Sequence, residues 1–189
     1  MPSKTDGIQK ILIQTLGDVN IEDLPLNFAC VACDLKTTKE IVFRKGNLAK
    51  AVAGSCCVPG VFVPVVYDKY HLVDGGIRNN IPTNIPKKFG CDYVIGVDVN
   101  KYRTYGTDSI KVIDVASATI RILMEDNSLR GYLSADVMIG PETKRFSARK
   151  TEGMMDMIEE GYKEAIDKMP EILLLLEKKP LKNKIKIKY

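Results

Sequence analysis

The residues best suited to chemistry lie in the stretch LVDGGIRNNIP, residues 72–82, where a carboxylate follows an apolar pair. Asp74 comes directly after Leu72 and Val73, and ligands of α/β proteins bind outside the carboxyl ends of strands. The pair Gly75-Gly76 predicts a turn through backbone φ values that other residues avoid. The pattern has two interpretations: Asp74 acts on a ligand, or it only hydrogen-bonds the N–H groups of its own turn.

Two further aspartates, Asp34 and Asp98, also end strand-like segments. Carboxylate oxygens are the ligands that hard divalent cations prefer, so these residues and Asp74 admit a metal-dependent site that handles phosphate. Nothing in the sequence fixes the three carboxylates together. We therefore predict no metal and no cofactor.

The sequence contains no clear pattern for a catalytic nucleophile. The serine elbow pattern G-x-S-x-G is absent, and its nearest counterpart, around Ser55, lacks both flanking glycines. The single histidine, His71, alternates with Leu72 along a strand and favours a structural or solvent-facing position. Since the chain has no second histidine, a Ser-His-Asp arrangement cannot be completed around a histidine distant from His71.

The elements that must position these residues alternate between strands and helices, which predicts an α/β fold with a mainly parallel sheet. Residues 92–99, DYVIGVDV, are almost continuously apolar, as is typical of a strand buried on both faces. Residues 26–35 and 40–46 are strand-like and joined by a short polar link, which favours a hairpin. Helical spacing and caps predict helices over residues 5–16, 48–55, 82–89, 109–129 and 151–168. Asn47 is the predicted cap of the helix over residues 48–55.

Charge is concentrated at one end of the chain. The 189 residues are 45% hydrophobic and 28% charged, with a net charge of +4, as in ordinary globular proteins. Residues 178–189, KKPLKNKIKIKY, hold six lysines and no acidic residue, so the positive charge belongs to this basic tail. Nucleic-acid binding, which requires a basic face, is therefore not predicted. The tail favours either a solubilising end or a contact with anionic lipid at a membrane surface.

Cysteine usage indicates a reducing compartment. The chain has five cysteines and no secretory signal, so we expect reduced thiols in a cytoplasmic protein that contacts membranes only peripherally. Cys30 and Cys33 have the spacing of a redox or zinc pair, but they lie in a strand-like segment and no second Cys/His pair completes a site. Core packing is the favoured interpretation for both.

An ordered set of motifs in residues 51–99 resembles the carboxy-terminal portion of bacterial patatin-like phospholipases. The resemblance extends over residues 20–170. The matching features, in order, are Ser55, Pro59-Gly60, Phe62, Pro64, Asp74-Gly75-Gly76, Asn80, Pro82 and residues 94–99.

The resemblance implies a role for Asp74. In patatin-like enzymes the aspartate of this motif is the partner of a serine nucleophile in a two-residue dyad without histidine, acting on ester bonds of lipids. Asp74 is then the catalytic residue, and Gly75 and Gly76 form the motif turn. The implied fold has three layers around a mainly parallel central sheet.

The chain departs from the family pattern in one respect. The glycine-rich oxyanion loop and the serine elbow of the family's amino-terminal half are not found here. We therefore predict that residues 1–177 are the carboxy-terminal portion of a lipid acyl hydrolase, inactive alone, that associates with a complementary half or with itself. The alternative is a non-catalytic α/β module that binds a partner chain.

Overall fold

The computed structural model describes residues 5–102, 108, 110–146 and 151–178. The chain forms two compact units, one of residues 1–80 and 105–129 and the other of residues 81–104 and 130–189. Helix α5, Val112–Ser134, contributes residues to both units. Apart from Lys178, the basic tail lies outside the described residues, so its contact with lipid stays a prediction. No helix in the described ranges is both long and apolar enough to cross a membrane.

The first unit contains a four-stranded sheet with helices α1 and α2. Its elements, in chain order, are α1 (Asp6–Leu16), a 3₁₀ turn (Ile21–Asp23), β1 (Cys30–Asp34), β2 (Glu40–Phe43), α2 (Leu48–Ser55), β3 (Val65–Tyr67), β4 (Tyr70–Asp74) and α3 (Gly76–Asn79). The strand order in the sheet is β2-β1-β4-β3.

Every pairing in this sheet is antiparallel, so the prediction of a mainly parallel sheet is wrong for the first unit. For the β1–β2 and β3–β4 pairs the physical reason is the length of the connection, because a short link returns the chain in the opposite direction. Strand β4 pairs with β1 across the long connection from Asp34 to Tyr70. The predicted β1–β2 hairpin is confirmed, with Cys30 opposite Phe43. Strands β3 and β4 are joined through Asp68, whose φ of 52° is the left-handed conformation of a tight turn.

Helix α2, which precedes β3, is held by a cap at its start and by close contact with β4. Its start is capped by Asn47, whose side chain accepts a hydrogen bond from the N–H of Lys50 at 3.0 Å, as the sequence predicted. Gly54 lies against the side chain of Leu72, which is fully buried, and a Cβ on Gly54 would overlap it. The residues of this core are small or medium in size: Ala32, Ala53, Cys57, Val65 and Leu72.

The second unit contains a parallel strand pair and helices. Its elements are α4 (Asn84–Lys88), β5 (Ile95–Val97), β6 (Val137–Ile139), α6 (Met154–Asp167) and α7 (Met169–Lys178). Strands β5 and β6 pair in parallel, with Val97 opposite Ile139. The α/β class is therefore confirmed, and parallel pairing among the described strands is confined to this unit.

Strand β5 is not buried on both faces, contrary to the prediction for residues 92–99. Gly96 is buried, whereas Ile95 and Val97 on the opposite face are 46% and 52% exposed. The run of apolar residues indicates a hydrophobic strand, but the burial of each face of the strand depends on the elements that cover it. One face of β5 is apolar and only partly covered by described residues.

Candidate active site

The backbone of Asp74 is held from two sides. Asp74 is the last residue of β4 and lies opposite Ala32 of β1 in the antiparallel register. Its N–H donates to the carbonyl of Cys57, just beyond α2, at 2.9 Å. The carboxylate therefore leaves the sheet at a position fixed by a strand and by the segment after a helix.

The side chain of Asp74 uses one oxygen in its own turn. Its Oδ1 accepts a hydrogen bond from the N–H of Gly76 at 2.8 Å, while its Oδ2 has no hydrogen-bond partner among the residues that the structure describes. Burial raises the pKa of Asp74 above its usual value, and the Gly76 bond opposes this only partly. Asp74 is thus a half-buried carboxylate with an oxygen available as a proton acceptor.

The two glycines after Asp74 are required by space rather than by backbone conformation. Gly75 has φ −66° and ψ −24°, which any residue adopts, and neither glycine has a positive φ. The prediction of a turn through unusual φ values is therefore wrong. A Cβ on Gly75 would overlap the carbonyl group of Val31 in β1, and a Cβ on Gly76 would overlap the end of the Met124 side chain.

The two asparagines of the motif anchor the turn. Asn79 Nδ2 donates to Glu40 Oε2 at 2.9 Å, and Asn80 Nδ2 donates to Ser128 Oγ at 2.7 Å. Asn127 Nδ2 donates to a carbonyl of α3 at 2.6 Å. No local pattern in the sequence predicts these anchors, because each asparagine is at least 39 residues away from its partner. Together they hold α3, and with it the Gly76 N–H that orients Asp74.

Neither Ser55 nor Cys56 is prepared for attack on a carbonyl. The Ser55 hydroxyl donates to the carbonyl of Val31 at 2.6 Å, which is a structural use. Desolvation raises the pKa of the Cys56 thiol, and the negative charge of Asp74 raises it further. A raised pKa disfavours the thiolate, which is the reactive form.

The other two strand-end aspartates, Asp34 and Asp98, accept hydrogen bonds from residues of their own unit. Asp34 accepts hydrogen bonds from the Thr37 hydroxyl at 2.7 Å and from the N–H of His71 at 2.9 Å, and the Thr37 bond contributes most to lowering its pKa to about 2. Asp98, in the second unit, accepts from the Tyr132 hydroxyl at 2.8 Å. Within the described ranges, no group of three or more His, Cys, Asp or Glu residues is arranged to hold a metal ion.

The raised pKa of Asp74 predicts that Asp74→Asn stabilises the fold at neutral pH. A carboxyl whose pKa is higher in the folded than in the unfolded state favours folding below its unfolded pKa of about 3.9 and loses that advantage as pH rises through the folded pKa. Asparagine keeps the oxygen that accepts from Gly76. We therefore expect a higher free energy of unfolding at pH 7, and no gain at pH below about 3.9.

Urea unfolding followed by circular dichroism at both pH values measures this difference. Asp68→Asn is the matched control, because Asp68 is exposed and asparagine also tolerates its left-handed φ of 52°. A variant at Asp74 that is less stable than the original chain at pH 7 contradicts the prediction.

Comparison with known proteins finds similarity over part of the chain. Residues 3–87, which include Asp74 and α3, match the family model described as patatin-like phospholipase. An uncharacterized NTE family protein of Mycobacterium tuberculosis is 34% identical over 94 residues, which cover 50% of this chain and 16% of that protein. A second such protein of the same organism is 36% identical over 85 residues, covering 45% of this chain and 24% of that protein. Neuropathy target esterase sws of Drosophila melanogaster is 30% identical over 92 residues, covering 48% of this chain and 6% of that protein.

The matched segment thus spans at most 24% of the length of these relatives. The segment that the family model matches, residues 3–87, contains strand β4, the Asp74 turn, Asn79 and Asn80. Residues 3–87 therefore match a patatin-like phospholipase domain, and the Asp74 turn lies within the match.

Proposed function

We propose that this chain supplies the proton-accepting aspartate of a serine lipid acyl hydrolase. The observation that carries the proposal is the Asp74 carboxylate, which is fixed by Cys57 and Gly76, keeps Oδ2 without a partner among the described residues, and lies within the segment similar to patatin-like phospholipases. A half-buried carboxylate with a raised pKa is suited to accept a proton in catalysis.

In the proposed reaction a serine oxygen from another segment attacks the ester carbonyl of a lipid, and its proton passes to Asp74. Asp74 returns this proton to the oxygen of the leaving alcohol as the bond to the acyl carbon breaks, and an acyl-serine remains. Water then cleaves the acyl-serine to release the carboxylic acid and restore the serine. In this scheme Asp74 accepts the proton at Oδ2, while its other oxygen stays bonded to Gly76.

The chain alone is proposed to be inactive, because its nearest elbow-like serine, Ser55, donates into a backbone carbonyl. We expect the 189-residue protein to show neither labelling by a fluorophosphonate probe nor hydrolysis of nitrophenyl esters. Mass spectrometry of the probe-treated protein and a spectrophotometric assay measure the two outcomes, with an active patatin-like enzyme as positive control. Stoichiometric labelling of any serine would overturn the idea that the nucleophile comes from elsewhere.

We further propose that the partner is a complementary segment that carries the serine, with a second copy of this chain as the competing partner. The partly covered apolar face of β5, where Ile95 and Val97 are 46% and 52% exposed, supports association. The same face supports the alternative function, a non-catalytic module that binds a partner chain. A gain of ester hydrolysis when the serine-bearing segment is added separates the two, since a non-catalytic module gains none.

A further inference from the structure

Ser128 is a buried serine inside helix α5, at a position where the helix itself does not require a hydroxyl. It is 7% exposed and lies within Val112–Ser134. Alanine is a better helix former than serine, and burying a hydroxyl costs free energy unless it is hydrogen-bonded. The partner of Ser128 outside the helix is the motif residue Asn80, whose Nδ2 donates to Ser128 Oγ at 2.7 Å. Both residues belong to the first unit.

The direction of this hydrogen bond is set by a second one. Ser128 Oγ donates to the carbonyl of Met124, one helical turn earlier, at 3.2 Å. A hydroxyl has one proton to donate and accepts through its lone pairs. Because that proton is directed at Met124, the oxygen of Ser128 accepts from Asn80. The Asn80 amide group therefore turns its nitrogen toward α5 and its oxygen away from Ser128.

The oxygen of the Asn80 amide faces the turn that holds Asp74. Gly76 has an open side where a Cβ would stand, and Asn80 Oδ1 lies 2.7 Å and Asp74 Oδ1 lies 3.1 Å from that position. An amide oxygen and a carboxylate oxygen both lack a proton and repel each other. The N–H of Gly76 donates to Asp74 Oδ1 at 2.8 Å. The carboxylate of Asp74 is thus attracted by the Gly76 N–H and repelled by the Asn80 oxygen, which restricts it to one position.

We propose that Ser128 is a positioning residue for Asp74 and acts through Asn80 and Gly76. Its hydroxyl fixes the orientation of the Asn80 amide, and the amide holds the end of α3 against α5. The Gly76 N–H then stays directed at Asp74 Oδ1, which leaves Oδ2 for the reaction. The catalytic meaning of this arrangement rests on the proposed function, in which Asp74 accepts the serine proton. The position of the carboxylate can be measured without any reaction.

Nuclear magnetic resonance of the intact chain tests the proposal in the folded state. Ser128→Ala removes the acceptor of the Asn80 amide. We expect the Gly76 N–H to exchange with solvent at least about tenfold faster, because a hydrogen bond to a charged group protects an amide by at least that factor. We also expect the midpoint of the Asp74 titration to move to higher pH, since the Gly76 bond lowers the pKa of this carboxyl against the effect of burial. The neighbouring thiols of Cys56 and Cys57 have raised pKa values and stay protonated over this range.

Thr119→Ala is the matched control in the same helix. The Thr119 hydroxyl also donates to a carbonyl one turn earlier, that of Val115 at 2.9 Å, but Thr119 is exposed. We expect this variant to leave the Gly76 exchange rate and the Asp74 titration unchanged. A double-mutant cycle separates action through Asn80 from a general loosening of the fold. In a chain that already carries Asn80→Ala, adding Ser128→Ala should have no further effect on either measurement.

Three results would overturn the proposal. The first is a Ser128→Ala variant that behaves like Thr119→Ala, and the second is an additive effect of Ser128→Ala and Asn80→Ala. The third is exchange of the Asn80 side-chain N–H protons in the original chain at the rate of a free asparagine, which needs no variant to fold. These outcomes are independent of ester hydrolysis. Near-normal turnover in Asp74→Asn would remove the proposed function and leave the positioning contacts, whereas an unchanged Asp74 titration in Ser128→Ala would remove only the role of Ser128.

Discussion

Asp74→Asn is expected to reduce ester turnover by about 10²–10⁴-fold, the usual contribution of a positioned general base, in an enzyme that combines this chain with a serine-bearing segment. The amide of asparagine cannot accept the serine proton at neutral pH, but its oxygen can keep the hydrogen bond from the Gly76 N–H. The change therefore removes basicity and preserves the turn. Steady-state hydrolysis of a nitrophenyl ester, measured as kcat and KM, reports the loss, which we expect in kcat.

The expected stability of the same variant distinguishes a loss of catalysis from a loss of folding. Because Asp74 is half-buried with a raised pKa, the asparagine variant should be at least as stable as the original chain at pH 7. A large loss of turnover then cannot come from unfolding. Asp68→Asn again serves as the control, with unchanged turnover expected because Asp68 lies exposed in the β3–β4 turn. Near-normal turnover in Asp74→Asn would remove Asp74 from the mechanism and leave it as a cap of its own turn.

Local signals in the sequence predicted much of the first unit. The β1–β2 hairpin follows from two strand-like runs with a short polar link, and the start of α2 follows from Asn47, whose cap is local by nature. Asp74 could be identified because a strand, a carboxylate and two glycines are adjacent in the chain. Each of these features depends on residues that are close in sequence.

The features that the sequence did not predict depend on contacts between residues that are far apart in the chain. The antiparallel pairing of β4 with β1 joins Val73 to Cys33, and no local pattern encodes that register. The anchors of α3 join Asn80 to Ser128 across 48 residues. The exposure of β5 depends on which elements cover it, so its apolar sequence alone could not distinguish one buried face from two.

Gly75 shows most clearly what cannot be predicted from the sequence alone. The sequence suggested a glycine for an unusual φ, but the φ of −66° is ordinary. Glycine is required because the backbone of β1 passes too close for a side chain, with the Val31 carbonyl at the place of the missing Cβ. A steric requirement set by a strand more than 40 residues earlier in the chain can be seen only in the structure.

Gly75→Ala is therefore expected to lower the free energy of unfolding by about 3 kcal/mol, the upper part of the range for overpacking. The added methyl meets a backbone carbonyl that already accepts the Ser55 hydroxyl and lies in the β1–β2 pairing, so it cannot rotate away as a side chain would. Gly76→Ala should cost less, because the atoms that its methyl meets within 3.0 Å belong to side chains, the end of Met124 and the amide oxygen of Asn80, and not to the backbone. Urea unfolding followed by circular dichroism measures both losses.

The matched control is Gly7→Ala in helix α1, where a Cβ meets nothing within 4 Å. Alanine is a better helix former than glycine by about 1 kcal/mol, so this variant should be as stable as the original chain or more stable. We therefore expect the free energy of unfolding to be lowest for Gly75→Ala, higher for Gly76→Ala and highest for Gly7→Ala. If Gly75→Ala proved as stable as Gly7→Ala, the contact between the Asp74 turn and β1 would be looser than the structure requires, and the fixed orientation of Asp74 would lose its main support.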